Sequence, residues 1–188
     1  NRRGGCCYEL IFLFKRLLTG LGYKVDLLSA RIVHEPDKVL GPEFDHSILL
    51  VHLKSKWIAD IGNSRWFNEP MMLNSDKTLT QNYQTFRIDL ISGSNDRYVL
   101  VEKNSENEFE QPQYYFRLIP RENSDFNGMC HYKWTSPESK FTKEYICTRI
   151  TERGRILLKS SALYIFEKDV RHVKKIESED EFRSYLEK

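Results

Sequence analysis

The sequence predicts an α+β fold, and three observations support this prediction. A run of apolar, helix-forming residues follows directly on the glycine pair Gly4-Gly5. Between residues 23 and 118, short segments rich in valine, leucine, isoleucine and aromatic residues alternate with turn-forming residues, as in antiparallel sheets. Ser178 stands three residues before Glu181, which is the spacing of a capping box that opens a helix.

Local signals place each element along the chain. A helix is predicted over residues 7–19, with Gly20 and Gly22 as stop signals. Strands over residues 47–53 and 57–61 flank a turn at 54–56 and form a predicted hairpin. Further strands are predicted over residues 23–33, 85–90, 97–102, 113–118, 139–150 and 155–166, a short helix or linking segment over 125–135, and a helix over 178–186. Residues 34–45 and 63–76 are predicted loops, and residues 104–110 an acidic, exposed turn.

The composition indicates an ordinary globular protein without a strong charge bias. The 188 residues carry a formal net charge of +2, and 40% of them are hydrophobic and 30% charged. This charge is too small to favour nucleic acid or an anionic membrane as a partner. No apolar run approaches the ~20 residues that span a bilayer. The four cysteines lack zinc-site spacing, so we expect reduced thiols, a cytoplasmic location and no metal.

A cysteine pair lies at the start of the first predicted helix, in the stretch Arg3-Gly4-Gly5-Cys6-Cys7. Unpaired backbone N–H groups and the helix dipole favour negative charge at this end of a helix. A cysteine placed there is therefore expected to favour the thiolate, which is the nucleophilic form. A buried structural thiol at a tight turn is the other interpretation of these residues.

A cysteine nucleophile needs a base, and the base needs a group that orients it. His46 opens an apolar strand, and Asp60 lies near the end of the next strand. Both side chains face the same side of the predicted hairpin. The simple register sets Asp60 opposite Leu50, which leaves His46 about 13 Å further along at ~3.3 Å per residue. A direct hydrogen bond would then need strong coiling, a bulge or a folded-back His46.

In the segments that contain Cys7, His46 and Asp60, the chain resembles the arylamine N-acetyltransferases. The family signature reads R-G-G-x-C-x-E, then a histidine before an apolar strand, then D-V-G-F-G with a proline soon after. The residues that match these three blocks are Arg3, Gly4, Gly5, Cys7 and Glu9, then His46, then Asp60, Ile61, Gly62 and Pro70. The residues that resemble the later family pattern are Asp125-Phe126, Ser136-Pro137, Ser139-Lys140-Phe141 and residues 151–157.

The resemblance implies a fold, a site and a reaction. Cys7 would be the nucleophile, His46 the base and Asp60 its orienting partner, in a cysteine-protease-like arrangement, with Cys6 at the variable position. The implied domains are the end of a helical domain (1–22), an antiparallel β-barrel (23–124), an interdomain segment (125–138) and an α/β lid (139–188). The implied enzyme acts in xenobiotic metabolism and moves acetyl from acetyl-CoA, through acetyl-cysteine, to an arylamine, arylhydrazine or N-hydroxyarylamine.

Two features depart from the family pattern. Asn63 and Ser64 replace the family's Phe-Gly. This replacement affects the expected shape of the acceptor and the geometry of the loop, not the triad. Only two residues precede Arg3, where the family has a helical segment. Because the first helix is apolar on two faces, large side chains such as Leu10, Leu13 and Leu17 would be left in water. We therefore expect residues 1–188 alone to be unstable or self-associating.

Several alternatives stay open at this point. The other candidate bases are His34, His52, His131 and His172. Glu9 is either a carboxylate that stabilises the first helical turn or a partner of Arg3. The aromatic, methionine-rich loop 63–76 either lines a pocket or caps the barrel core, and residues 114–116 are assigned to the core and the sheet. The alternative functions are a Cys-His-Asp amide hydrolase or transglutaminase-like enzyme, and a non-catalytic homologue.

Overall fold

The computed structural model describes residues 4–81, 84–103, 110–167 and 170–186. The chain forms two compact units, Asn1–Met129 and Cys130–Lys188. The boundaries of the four segments expected from the family resemblance stay a prediction. Within the described ranges, no helix has both the length and the apolar character needed to cross a membrane.

The first unit begins with the predicted amino-terminal helix. Helix α1 (Cys7–Gly20) starts at the cysteine expected to open it and ends within one residue of the predicted end. Cys6 is extended and precedes the first turn, and its N–H donates to the Glu9 carboxylate over 2.9 Å. The interpretation of Glu9 as a first-turn carboxylate is confirmed. Its alternative partner, Arg3, lies outside the described residues.

Only one side of α1 is buried. Tyr8 and Ile11 are 3% and 0% exposed, whereas Leu13 and Leu17 are 67% and 55% exposed. The expected exposure of the second face is therefore confirmed for Leu13 and Leu17, whereas Leu10 is partly buried. The first face packs against the sheet of the same unit, and within the described residues the second face remains in contact with solvent.

The described remainder of the first unit is largely a nine-stranded antiparallel sheet. The strands are β1 (Lys24–His34), β2 (Val39–Leu40), β3 (His46–His52), β4 (Lys56–Ala59), β5 (Met71–Met72), β6 (Leu79–Gln81), β7 (Gln84–Leu90), β8 (Arg97–Lys103) and β9 (Glu110–Arg117). Hydrogen-bonded neighbours follow the order β5-β4-β3-β1-β9-β8-β7-β6, and β2 pairs with β1. The strands predicted over residues 23–33, 47–53, 57–61, 85–90, 97–102 and 113–118 are all present, with ends shifted by up to three residues.

This sheet curls into a nearly closed barrel. The first and last strands in this order, β5 and β6, approach each other. The N–H of Asn68, just before β5, donates to Gln81 Oε1 on β6 over 2.9 Å. Phe67 of the same loop packs edge-on against Phe86 of β7, with ring centroids 6.2 Å apart. The interior is filled by one cluster: Leu28, Ala30, Ile48, Leu50, Ile58, Trp66, Phe67, Met71, Leu73, Phe86, Ile88, Tyr98, Leu100, Tyr114 and Phe116. The α+β fold with a central antiparallel β-barrel is confirmed.

Two predicted loops each contain a short strand. Strand β2, within 34–45, pairs Leu40 with Val33, and β5, within 63–76, pairs Met71 with Ile58. Two-residue strands have no readable alternation, and pairing with an existing sheet edge is what orders them. Of the acidic turn predicted over 104–110, only residue 110 is described, and it begins β9.

The second unit combines short helices with a four-stranded antiparallel sheet. A 3₁₀ turn (Asn123–Phe126) leads into α2 (Asn127–Thr135), in which the boundary between the units falls. Next come α3 (Lys140–Lys143), β10 (Ile146–Thr151), β11 (Gly154–Lys159), β12 (Ala162–Glu167), β13 (Val170–Lys175) and α4 (Glu179–Leu186). Ser178 Oγ accepts the N–H of Glu181 over 3.1 Å, which confirms the predicted start of α4.

Two strand predictions in this unit are wrong in part. The segment 139–150 begins as a helix, because Ser139 Oγ accepts the N–H of Phe141 over 3.2 Å and caps α3. The segment 155–166 is two strands, since Ser160 and Ser161 form a turn that pairs β11 with β12. A Ser-Ser pair is a weaker turn signal than glycine or asparagine, so the apolar run concealed the hairpin.

Candidate active site

Three side chains indicated by the sequence meet in the first unit. Cys7 is the first residue of α1, His46 is the first residue of β3, and Asp60 directly follows β4. His46 and Asp60 are 1% and 2% exposed, and Cys7 is partly buried. A partly accessible thiol beside a buried histidine–carboxylate pair is the arrangement that an activated cysteine needs.

The register of the β3–β4 hairpin explains how His46 and Asp60 come together. Leu50 lies opposite Ile58, not opposite Asp60 as the simple register predicts. The shift moves Asp60 two residues closer to His46 and reduces the separation along the strand from about 13 Å to ~7 Å. The turn is the cause, because the hairpin loop covers residues 53–55 instead of 54–56.

Asp60 uses both of its carboxylate oxygens. Its Oδ2 lies 2.9 Å from Nε2 of His46, and its Oδ1 accepts the N–H of Gly62 over 2.9 Å. The bond from Gly62 fixes the carboxylate, and the carboxylate holds the imidazole with its proton on Nε2. The Cys7 side chain lies close to the imidazole and interacts with it electrostatically.

Gly62 also allows the imidazole of His46 and the side chain of Cys7 to approach each other. A Cβ at this position would lie 2.9 Å from Cε1 of His46 and 3.0 Å from Cβ of Cys7. Only glycine leaves room for both groups. From the other side, the hydroxyl of Ser47 donates to the carbonyl of Cys7 over 3.4 Å.

The surroundings of His46 favour its charged form. Burial opposes protonation, but the charge and the hydrogen bond of the Asp60 carboxylate, together with the neighbouring Cys7 side chain, outweigh burial and raise the pKa of His46 from 6.5 to about 10. His46 is therefore an imidazolium at neutral pH. Burial raises the pKa of the neighbouring Cys6 thiol above its ordinary value, so Cys6 is protonated at neutral pH.

Two aromatic rings pack against the imidazole of His46. Trp66 meets it nearly edge-on with ring centroids 5.2 Å apart, and Tyr114 lies 5.9 Å away. The indole N–H of Trp66 donates to Gln113 Oε1 over 3.1 Å, which fixes the ring. The loop 63–76 thus caps the barrel core through Trp66 and Phe67, and its Trp66 also packs against the imidazole of His46.

Tyr114 lies beside the candidate site, and the sequence pattern did not indicate this position. Residues 114–116 were predicted as core and sheet, and Tyr114 and Phe116 are indeed 0% and 3% exposed. The Tyr114 hydroxyl has no hydrogen-bond partner among the described residues, and burial together with the nearby Asp60 charge raises its pKa well above the ordinary value. The proximity of Tyr114 to His46 follows only from the strand order, because Ala30 of β1 pairs with His46 on one side and with Phe116 on the other.

The two residues that depart from the family pattern form a local turn. Asn63 Oδ1 accepts the N–H of Arg65 over 3.0 Å, and the carbonyl of Asn63 accepts the N–H of Trp66 over 3.3 Å. Ser64 lies within this turn. The Asn-Ser sequence therefore supplies its own hydrogen bonds and leads the chain from Gly62 to the indole that contacts His46.

The remaining histidines lie elsewhere in the structure. Two of them lie 2.7 Å from a carboxylate oxygen, His34 from Asp45 and His52 from Asp26. The other two, His131 and His172, are exposed residues of the second unit. The structure thus brings His46 to the cysteine, as expected from the sequence. In the described ranges, no cluster of three or more His, Cys, Asp or Glu side chains has the arrangement of a metal site.

Comparison with known proteins agrees with this geometry. A family model described as N-acetyltransferase matches residues 1–188. An arylamine N-acetyltransferase of Escherichia coli is 32% identical over 160 residues, which cover 84% of this chain and 55% of the relative. The chain therefore spans about half the length of that relative.

Solved structures show the same fold. The arylamine N-acetyltransferase of Mycobacterium marinum in complex with CoA superposes with a TM-score of 0.86 at 24% identity, covering 98% of this chain and 68% of the other. An arylamine N-acetyltransferase of Bacillus cereus with a unique Cys-His-Glu catalytic triad superposes with a TM-score of 0.82 at 18% identity, covering 99% and 72%. The chain therefore belongs to the arylamine N-acetyltransferases, a family of enzymes.

Proposed function

We propose that the protein transfers an acetyl group from acetyl-CoA to an arylamine, arylhydrazine or N-hydroxyarylamine through an acetyl-cysteine on Cys7. The observation that carries this proposal is the contact of Cys7 with the imidazole of His46, which Asp60 holds from the other side. The family relationship supports acetyl transfer, and the CoA complex of the Mycobacterium marinum protein supports a CoA thioester as donor.

The first half-reaction follows from the charges at the site. The thiolate of Cys7 attacks the thioester carbonyl, and the bond from that carbon to the CoA sulfur breaks. The departing CoA thiolate takes the proton of the His46 imidazolium, which leaves acetyl-cysteine and neutral imidazole. The raised pKa of His46 supports this starting state, because the base already carries the proton that the leaving group needs.

The second half-reaction restores the ion pair. The amine attacks the acetyl carbonyl, and His46 takes the amine proton as the bond to the Cys7 sulfur breaks. Asp60 keeps the imidazole in one tautomer and stabilises its charge in both halves. The aromatic rings of Trp66 and Tyr114 shield the imidazole and exclude water from its surroundings.

We also propose a cytoplasmic location without a nucleic acid, membrane or metal partner. All four cysteines are free thiols, as expected in a reducing compartment. The proposed reaction uses only proton transfer and acyl transfer, for which Cys7, His46 and Asp60 suffice.

Mass spectrometry and steady-state kinetics test the proposed function. Incubated with acetyl-CoA alone, the protein should gain one acetyl group on Cys7. With 4-aminobenzoate added, one CoA should appear for each acetylated amine, with the parallel double-reciprocal lines of a ping-pong mechanism. Cleavage of anilides or peptide amides without thioester turnover would instead establish a hydrolase or transglutaminase-like enzyme. Absence of both Cys7 acetylation and amide cleavage would identify a non-catalytic homologue.

Replacing Gly62 by alanine should disable the site without unfolding the barrel. The new methyl group would push the imidazole of His46 away from Cys7, and a displacement of this size lowers rates by about 10²-fold. The measurement is the single-turnover rate of Cys7 acetylation, alongside thermal melting. Gly20→Ala is the matched control, because a Cβ at the end of α1 meets no atom within 4 Å. A Gly62→Ala enzyme as fast as Gly20→Ala would refute the close packing at this position.

A further inference from the structure

The segment that leads into His46 has an unusual backbone conformation. Phe44 has a φ of 64°, in the left-handed region that residues other than glycine rarely adopt. Its N–H donates to Ser29 Oγ over 2.8 Å, and the guanidinium of Arg121 lies 5.2 Å from its ring centre. Because Phe44 precedes His46 by two residues, this conformation sets the direction in which β3 begins.

The hydroxyl of Tyr8 holds the carbonyl of the same residue. Tyr8 directly follows Cys7, is 3% exposed, and donates from Oη to the Phe44 carbonyl over 2.8 Å. The carbonyl of Asp45 lies 3.4 Å from the same hydroxyl. One side chain thus joins the residue after the candidate nucleophile to the two residues before His46.

Aromatic packing surrounds this hydrogen bond. Phe126 is 1% exposed, and its ring centroid lies 5.7 Å from that of Tyr8 and 5.1 Å from that of Phe44. These contacts depend on the rings and not on the hydroxyl. Removing only the oxygen of Tyr8 therefore separates the hydrogen bond from the packing that holds α1 on the barrel.

We propose that Tyr8 is a positioning residue, whose hydroxyl sets the distance and orientation between Cys7 and His46 through the Phe44 carbonyl. The inference rests on the proposed function, because it concerns the same thiol and base. A purely structural Tyr8 would affect stability and leave the chemistry of the folded protein unchanged. A positioning Tyr8 changes the rate of the chemical step in folded protein, and binding of the donor much less.

The decisive comparison is Tyr8→Phe against Tyr98→Phe. Tyr98 is also 3% exposed in the same unit and donates its hydroxyl to Asn74 Oδ1 over 3.0 Å. Both variants lose the hydroxyl of one buried tyrosine, which donates its single proton mainly to one acceptor, so their melting temperatures should fall by similar amounts. We expect Tyr8→Phe to lower the rate of Cys7 acetylation about tenfold with an almost unchanged KM for acetyl-CoA, and Tyr98→Phe to keep the wild-type rate.

Alkylation by iodoacetamide gives a second readout that needs no acetyl-CoA. We expect Tyr8→Phe to slow alkylation of Cys7 more at pH 7 than at pH 9, because a displaced imidazolium no longer supports the thiolate. Ser29→Ala, which removes the acceptor for the Phe44 N–H, should lower the same pH 7 to pH 9 ratio. This variant tests the coupling even if Tyr8→Phe fails to fold.

Two outcomes would overturn the role of Tyr8. One is a wild-type acetylation rate and alkylation profile in Tyr8→Phe. The other is an equal loss of rate in Tyr8→Phe and Tyr98→Phe that follows their melting temperatures, which would make Tyr8 structural only. If wild-type Cys7 is alkylated but never acetylated, the proposed function fails, while the alkylation profiles still decide the role of Tyr8.

Discussion

Replacing Cys7 by serine will lower the rate of acetyl transfer by about 10⁴-fold or more, because loss of the nucleophile removes the covalent route. Serine keeps the size of the side chain at the start of α1, but its hydroxyl is a far weaker acid and nucleophile than a thiol. His46, already protonated at neutral pH, is not available to accept the hydroxyl proton. The measurement is the burst of CoA released on mixing with acetyl-CoA, together with the mass of the protein.

Cys6→Ser is the matched control for this experiment. Cys6 precedes the first turn of α1, where serine is among the preferred residues, so the helix should be kept or slightly stabilised. Its thiol has a raised pKa and is expected to take no part in the reaction. We expect acetylation and alkylation to map to Cys7 in the Cys6→Ser protein. Loss of activity in Cys6→Ser, or retained activity in Cys7→Ser, would exchange the roles assigned to the two cysteines.

The parts of the site that local sequence rules determine were predicted correctly. A glycine pair before an apolar run places the start of α1 at Cys7, and the apolar stretch 47–53 places the start of β3 within one residue of its observed position at His46. Both predictions depend only on residues adjacent in the chain. The β-barrel was expected from the family resemblance, since short strands alone also fit an open sheet.

The contact between His46 and Asp60 could not be derived, because it depends on a one-residue difference in the hairpin loop. Pairing Leu50 with Ile58 instead of Asp60 changes the separation along the strand by two residues. Sequence patterns determine which face a residue occupies, and both registers leave Asp60 on the same face. The choice between them is made by the turn geometry.

The contacts around Cys7, His46 and Asp60 were missed because they join distant segments. The left-handed conformation of Phe44 carries no local signal, since glycine, asparagine and aspartate are the residues that indicate such backbone angles. Tyr8 bonds a carbonyl 36 positions along the chain, and Tyr114 reaches His46 only because β9 and β3 both pair with β1. Such neighbours follow from strand order, which periodicity alone does not determine.

Replacing Asp60 by asparagine will lower the rate by about 10⁴-fold, the loss that the same change causes in a Ser-His-Asp triad. The asparagine amide can accept the N–H of Gly62 with its oxygen, which turns its NH₂ group towards His46. The imidazole must then accept at Nε2 and carry its proton on Nδ1, facing Cys7 in the wrong tautomer. The measurement is the single-turnover rate of Cys7 acetylation in Asp60→Asn and in its control, Asp26→Asn.

Asp26→Asn is the matched control, because Asp26 also bonds a histidine, His52, over 2.7 Å on the same sheet. We expect this variant to keep the wild-type rate of acetyl transfer. An Asp60→Asn protein that is as fast as Asp26→Asn would remove Asp60 from the triad. A slow Asp60→Asn protein that no longer melts cooperatively would show a loss of folding instead of a loss of tautomer control.

The pH dependence of stability provides an independent test of the same carboxylate. The pKa of His46 in the folded protein, about 10, lies above its ordinary 6.5, so the folded state holds a proton that the unfolded chain loses between these values. The stabilisation is complete below pH 6.5 and is lost as the pH rises through 10, at about 1.4 kcal/mol per pH unit. Asp60→Asn removes the two largest contributions that raise the pKa of His46, so the slope above pH 6.5 should become much smaller. Urea unfolding of both proteins between pH 6 and 10 measures this difference, and parallel curves would show that Asp60 does not hold the proton on His46.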